Sequence, residues 1–259
     1  MAMKQTFSFI AILSLSCLIF AQPVFAILDN TQVTGGQPST SSTCSQIDTV
    51  AASLHSMLDK KRQAIEAKKA DTAGKTAELR QKVAVDLNQQ RVMQKKSQDT
   101  SELEMKKYAK TDEQKRAVDE YFKEVSQVLS EARLALDSSL QNYQNETSKI
   151  SATQVSEADV AFNNYVFSVD RAIENTRSMC SNGSSVAESL NQLKSQIKDS
   201  SAKYKSNIDT IFNKDKRTKI ERQRAQEYDK INHDFLNRLS SAKQRILDAF
   251  GKDAHELEW

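Results

Sequence analysis

The sequence predicts an all-α protein: a long antiparallel helical hairpin plus a third long helix, packed as a slender, coiled-coil-like bundle. Three observations carry that prediction. The 259 residues include only 5 Gly and 2 Pro, where average usage would supply about 18 and about 13. Turn-dense sandwiches, barrels and Rossmann-type sheets are therefore disfavoured. From Ser39 to Trp259 there is no proline, and glycine occurs only at Gly74, Gly183 and Gly251. Finally, apolar residues recur at alternating spacings of three and four, which places them on one stripe of a helix.

Residues 1–26 read as a secretory signal. Lys4 supplies the positive n-region, the apolar run from Phe7 to Ala21 the h-region, and Pro23 breaks the helix before Val24-Phe25-Ala26. Cleavage after Ala26 is the expected processing site. The run is short for a bilayer that requires about 20 apolar residues, so the chain is expected to be secreted or periplasmic. Lipidation at Cys17 is disfavoured, because Ser14-Leu15-Ser16-Cys17 has no Leu three residues before the cysteine. Residues 27–43, rich in Ser, Thr, Gly and Gln, bury too little apolar surface to offset the entropy of ordering and read as a flexible leader.

Two arms follow. In the first, Ile47, Val50, Leu54, Leu58, Ile65, Thr72, Thr76, Leu79, Val83 and Leu87 trace a slowly drifting stripe. The second is the clearest: Val118, Phe122, Val125, Leu129, Ala132, Leu136, Leu140, Tyr143, Thr147 and Ile150, resuming from Val155 through Phe162, Val169 and Ile173 to Cys180. Three S/T-x-x-E/Q signatures offer helix starts, at Ser101 with Glu104, Thr111 with Gln114, and Ser185 with Glu188. Asn182-Gly183 marks a helix end, since glycine accepts the left-handed backbone there.

The cysteines choose among the possible tips. In an exported chain lacking its signal only Cys44 and Cys180 remain, and a disulfide between them is the default. Antiparallel arms bring them together if the tip falls midway, at residue 112, beside the Thr111 cap signal. Residues 44–181 are thus read as a disulfide-closed hairpin in which position i faces 224 − i. In that register Gly74 faces Ile150, next to the polar stretch Ser148–Thr153, and a bend or break is expected at that height in both arms. Straight arms would each reach roughly 100 Å. Residues 184–250 are read as one third long helix, with Val186, Leu190, Leu193, Ile197, Tyr204, Ile208 and Ile211, then Ile220 to Phe250, along its seam; residues 251–259 are a tail.

Enzymatic constellations are not apparent, and the chain is read as a non-enzyme without cofactor or metal. His55, His233 and His255 lie far apart, with no H-E-x-x-H pair and no Cys–His zinc spacing, and are read as solvent-facing. Gly35-Gly36 falls in the leader, so no phosphate loop precedes a helix. Charges alternate in sign along the helices, as in Glu102, Glu104, Lys106 and Lys107, the pattern of a solvated face. With 37 Lys+Arg against 34 Asp+Glu, net charge does not point to nucleic acid.

The most uneven charge is the run Lys214, Lys216, Arg217, Lys219, Arg222 and Arg224, offset by Asp215 and Glu221. It has two readings: a docking site for an acidic partner or anionic surface, and a charged turn or exposed helix face where the apolar stripe thins between Ile211 and Ile220. Two aromatic clusters stand out, Tyr121-Phe122 and Phe162, Tyr165 and Phe167; Tyr165 or Phe167 points off the seam to meet the third helix or a partner, packing against the third helix being the expected outcome.

These features lead to an exported, non-catalytic structural or interaction protein with a protein partner, homo-oligomerisation being open. In gross features, namely a signal peptide, long helical arms and Lys-rich flanks, the chain is similar to the Skp (OmpH-like) family. That resemblance implies a periplasmic holdase chaperone. The near-neutral charge and the cysteine pair depart from the family pattern.

Overall fold

A computed structural model describes residues 44–213, 215–251 and 254; the signal, the leader, Lys214 and most of the tail lie outside the described residues. Four helices follow one another: α1 Ser45–Tyr108, α2 Asp112–Ser181, α3 Val186–Ile211 and α4 Asp215–Phe250. No strand occurs among the described residues.

The tip between α1 and α2 is built by its own side chains. The Gln114 backbone N–H donates to Thr111 Oγ1 at 3.1 Å. Gln114 Oε1 in return accepts from the backbone N–H groups of Thr111 and Lys110, at 3.2 and 2.7 Å. This reciprocal capping satisfies donors that the first turn of α2 would otherwise leave open. The Ser101 signature caps nothing, because α1 runs through it to Tyr108. At the other end of α2, Gly183 has φ 94°, and Gly183 N–H donates to Cys180 O while Ser184 N–H donates to Met179 O, each at 3.1 Å. That pair of bonds is the Schellman closure. Ser185 then caps α3 by accepting from the Glu188 N–H.

The residues divide into two compact units. The first holds the described residues up to Thr76 together with Ser151–Asn213; the second holds Ala77–Ile150 and the described residues from Asp215 onward. The division falls after Thr76, two residues past Gly74, and after Ile150, within Ser148–Thr153; of the expected bend or break, no break occurs, since α1 and α2 are continuous helices there. Gly74 costs helix propensity without interrupting the backbone ladder, and a Cβ there would meet nothing within 4 Å.

In the first unit α1, α2 and α3 share one core, in which Ile47, Leu54, Val169, Ile173, Leu193 and Ile197 are almost wholly buried. Cys44 and Cys180 form a disulfide at its edge, with Cα atoms 6.1 Å apart. In the second unit Met105, Val118, Phe122, Ile246 and Phe250 form the core beside the tip. Away from that core, Val128, Tyr143 and Thr147 of α2 and Ala242 of α4 are buried while most other seam positions of these helices are half-buried, and α1 has no fully buried residue from Asp59 to Glu104. Thr76 and Leu79, expected in the seam, are exposed.

The third long helix expected over 184–250 is two helices. Phe212, half-buried, packs its ring against the first core. The Gln154 side chain of α2 donates to the freed carbonyl of Ile211 at 2.9 Å, capping the end of α3. The apolar stripe has no residue between Phe212 and Ile220 to hold a continuous helix in place, so α4 begins anew at Asp215.

Candidate functional site

Two places gather charged side chains around apolar surface, one in each unit. In the first unit an open groove of about 400 Å³ runs between α1 and α2, with Leu58, Val166 and Ile173 beneath a rim of His55, Asp59, Arg62, Asp170, Glu174 and Arg177. His55 Nε2 lies 2.9 Å from Asp170 Oδ1. The carboxylate only accepts, so the imidazole N–H donates. Arg177 donates from Nε to Asp48 at 2.9 Å and from Nη1 to Glu174 at 2.7 Å, and both bonds hold its pKa above the ordinary arginine value. A His–carboxylate pair acts in nucleophilic catalysis by activating a third group. The groove lining contains no Ser, Thr or Cys to serve as that group.

The same register carries the rest of the arm-to-arm contacts. Arg62 donates to Asn163, Lys69 pairs with Asp159 and Arg177 with Asp48 in the first unit. In the second, Arg91 pairs with Asp137, Arg133 donates to Gln94 and Lys106 pairs with Asp119. His55, where 224 − i calls for residue 169, meets residue 170; Arg91, where it calls for 133, meets 137, one helical turn further. The charged residues near the seam therefore join one arm to the other. Each exposed pair contributes little, about 0.2–1 kcal/mol.

Behind the groove, an aromatic group fastens α3 to the hairpin. Tyr165 of α2 and Tyr204 of α3 stack with centroids 5.2 Å apart and an interplanar angle of 15°, and Phe162 meets Tyr204 edge-on. Lys61 Nζ lies 5.3 Å from the Tyr204 centroid and 5.9 Å from that of Tyr165, a cation over two ring faces. Burial, then the neighbouring Tyr165 and Asp159, pushes the Tyr204 phenol up to about 12; burial alone pulls Lys61 down. Tyr165 thus meets the helix it was expected to meet. Phe167 does not: it is 61 % exposed, with Arg171 over its ring.

In the second unit the basic run divides. Arg224 is half-buried, with its guanidinium 4.5 Å from the centroid of Tyr143 and hydrogen-bonded to that phenol. Burial lowers the Arg224 pKa, with Tyr143 acting against it; burial and then Glu221 raise that of Tyr143. Arg217 is half-buried, whereas Lys219 and Arg222 are exposed. Lys214 and the Lys216 side chain lie outside the described residues. The run is therefore not one uniform patch, since Arg224 turns inward as a packing residue.

Sequence reasoning missed two pairings. The His55–Asp170 contact had a signal, because the cysteine-derived register brings residue 169 opposite His55. The Arg224–Tyr143 contact had none, since nothing in the sequence aligned the last helix against α2. His233, expected to face solvent, is exposed and shares a hydrogen bond with Asn237 one turn along its own helix. Among the described residues no group of three or more His, Cys, Asp or Glu is placed to hold a metal ion, and no helix is long and apolar enough to cross a membrane.

No protein-family model, curated protein or solved structure matches this chain.

Proposed function

We propose that this chain is an exported, non-catalytic helical interaction protein, whose helices hold partner-facing surfaces at fixed positions. The observation that carries this reading is the use made of its charges. In the groove between α1 and α2, His55 with Asp170 and Arg177 with Glu174 and Asp48 are committed to bonds within and between helices, so they serve as structural ties. Lys219 and Arg222 stay exposed at the start of α4 and suit an acidic protein partner or another anionic surface. The direct experiment is pull-down from the exported fraction with the full chain at low and high salt. The reading calls for a defined partner, released by salt and lost on replacing Lys219 and Arg222 by Gln. A purified chain that turns over substrate, with the groove residues required, would overturn it.

A second reading, a holdase chaperone like the Skp family, is favoured by one observation. In the second unit α1 exposes Leu79, Val85, Val92, Met93 and Leu103, large apolar side chains that a non-native client could meet. Suppression of aggregation of an unfolded membrane protein, weakened by Val92→Ser with Met93→Ser, is the expected result under this reading. No suppression at a several-fold molar excess of chain removes it.

A further inference from the structure

The outward face of α2 in the first unit is arranged as its own complement. Val160 and Phe167 are 57 % and 61 % exposed and stand seven residues apart, hence on one side of the helix. Between them lie Asn163 and Asn164, both exposed and uncharged, Asn163 at the edge of the face where it accepts from Arg62 of α1; beyond them lie Glu157 on one side and Arg171 on the other, also exposed. Arg171 touches the Phe167 ring face, its guanidinium carbon 5.7 Å from the centroid. Neither Glu157 nor Arg171 has an ion pair among the described residues. Asp170, the acid nearest Arg171 in sequence, is engaged by His55 of α1.

This order is nearly the same from both ends with the charges reversed, Glu157 standing three residues outside Val160 and Arg171 four outside Phe167: acid, apolar, Asn-Asn, apolar, base. A two-fold axis between Asn163 and Asn164, with two such helices antiparallel, sets Val160 of each copy against Phe167 of the other. It also brings each Glu157 beside the other copy's Arg171. Two apolar contacts and two ion pairs form together, as a closed isologous interface requires, while Asp170, level with the other copy's Glu157, is held by His55 of its own chain. We propose that this face of α2 pairs with a second copy of the chain in that antiparallel arrangement. A contact carried by two apolar side chains and two charges from each copy is small, so the dimer is weak and reversible. The proposal is independent of the partner reading above, which uses α4.

Sedimentation of the full chain over a micromolar-to-millimolar series tests it, with circular dichroism and thermal melting to verify that each variant is folded. The expected result is a concentration-dependent monomer–dimer equilibrium, lost in Phe167→Asp. Glu157→Arg and Arg171→Glu should each weaken association at least about tenfold, since either places two like-charge pairs in the interface. The double variant E157R/R171E should regain the wild-type affinity, which a merely structural effect of either change would not produce. A chain that is monomeric throughout, or a dimer that the double variant fails to restore relative to the single ones, overturns the proposal.

Discussion

Arg224 and Arg222 are two residues apart on one helix, yet they are predicted to behave differently. Arg224 lies over Tyr143, which is 6 % exposed, so Arg224→Gln removes both a cation–π contact and the partner of a buried phenol. A loss of about 1–2 kcal/mol is expected in urea unfolding. Arg222→Gln, at an exposed position, should stay within about 0.5 kcal/mol. Tyr204 gives a prediction with a defined sign. Its folded pKa, about 12, lies above the unfolded value near 10, so the fold favours the neutral phenol. That contribution, on the order of 2 kcal/mol, is complete below pH 10 and is lost as pH rises toward 12. Tyr204→Phe should therefore lose less stability than the wild type between pH 10 and 12, when unfolding is followed by denaturant titration. Equal losses in the two proteins would refute the assignment.

At the scale of the helix, most of what formed was legible because it is local. The Thr111–Gln114 box and the Asn182-Gly183 ending act through adjacent side chains and backbone, and the tip and the end of α2 appear there in the structure. The hairpin register was legible for a different reason, since two cysteines tie two distant positions together. The break between α3 and α4 was not, because it rests on Phe212 joining the first core and on Gln154 of α2 capping Ile211. Both are tertiary contacts with no sequence pattern. The exposure of Leu79 and the half-burial of Val83 and Leu87 were likewise hidden, since an apolar stripe does not reveal whether a neighbour covers it. These differences predict uneven protection from amide exchange. The stretch of α1 from Thr76 to Thr100, with no buried residue, should exchange faster than Ile47–Leu58, where five of the core side chains sit. Uniform protection along α1 would contradict the burial pattern.

For the molecule as a whole, the disulfide is the strongest single constraint. It joins positions 136 residues apart, while the ion pairs around it are individually weak. Closing so long a loop removes much of the freedom of the unfolded chain, so reduction should cost about 2–4 kcal/mol, read as a lower denaturation midpoint in reductant with helicity retained in mild conditions. Its position also supports the proposed function, since a hairpin closed at Cys44 and Cys180 aligns Asp48 with Arg177 and His55 with Asp170, tying these charges into the structure. Peptide mapping of the native, unreduced protein tests that arrangement most directly. A cross-linked peptide pair containing Cys44 and Cys180 of one chain is the result required. Either thiol found free, or linked to a cysteine of another molecule, would contradict it.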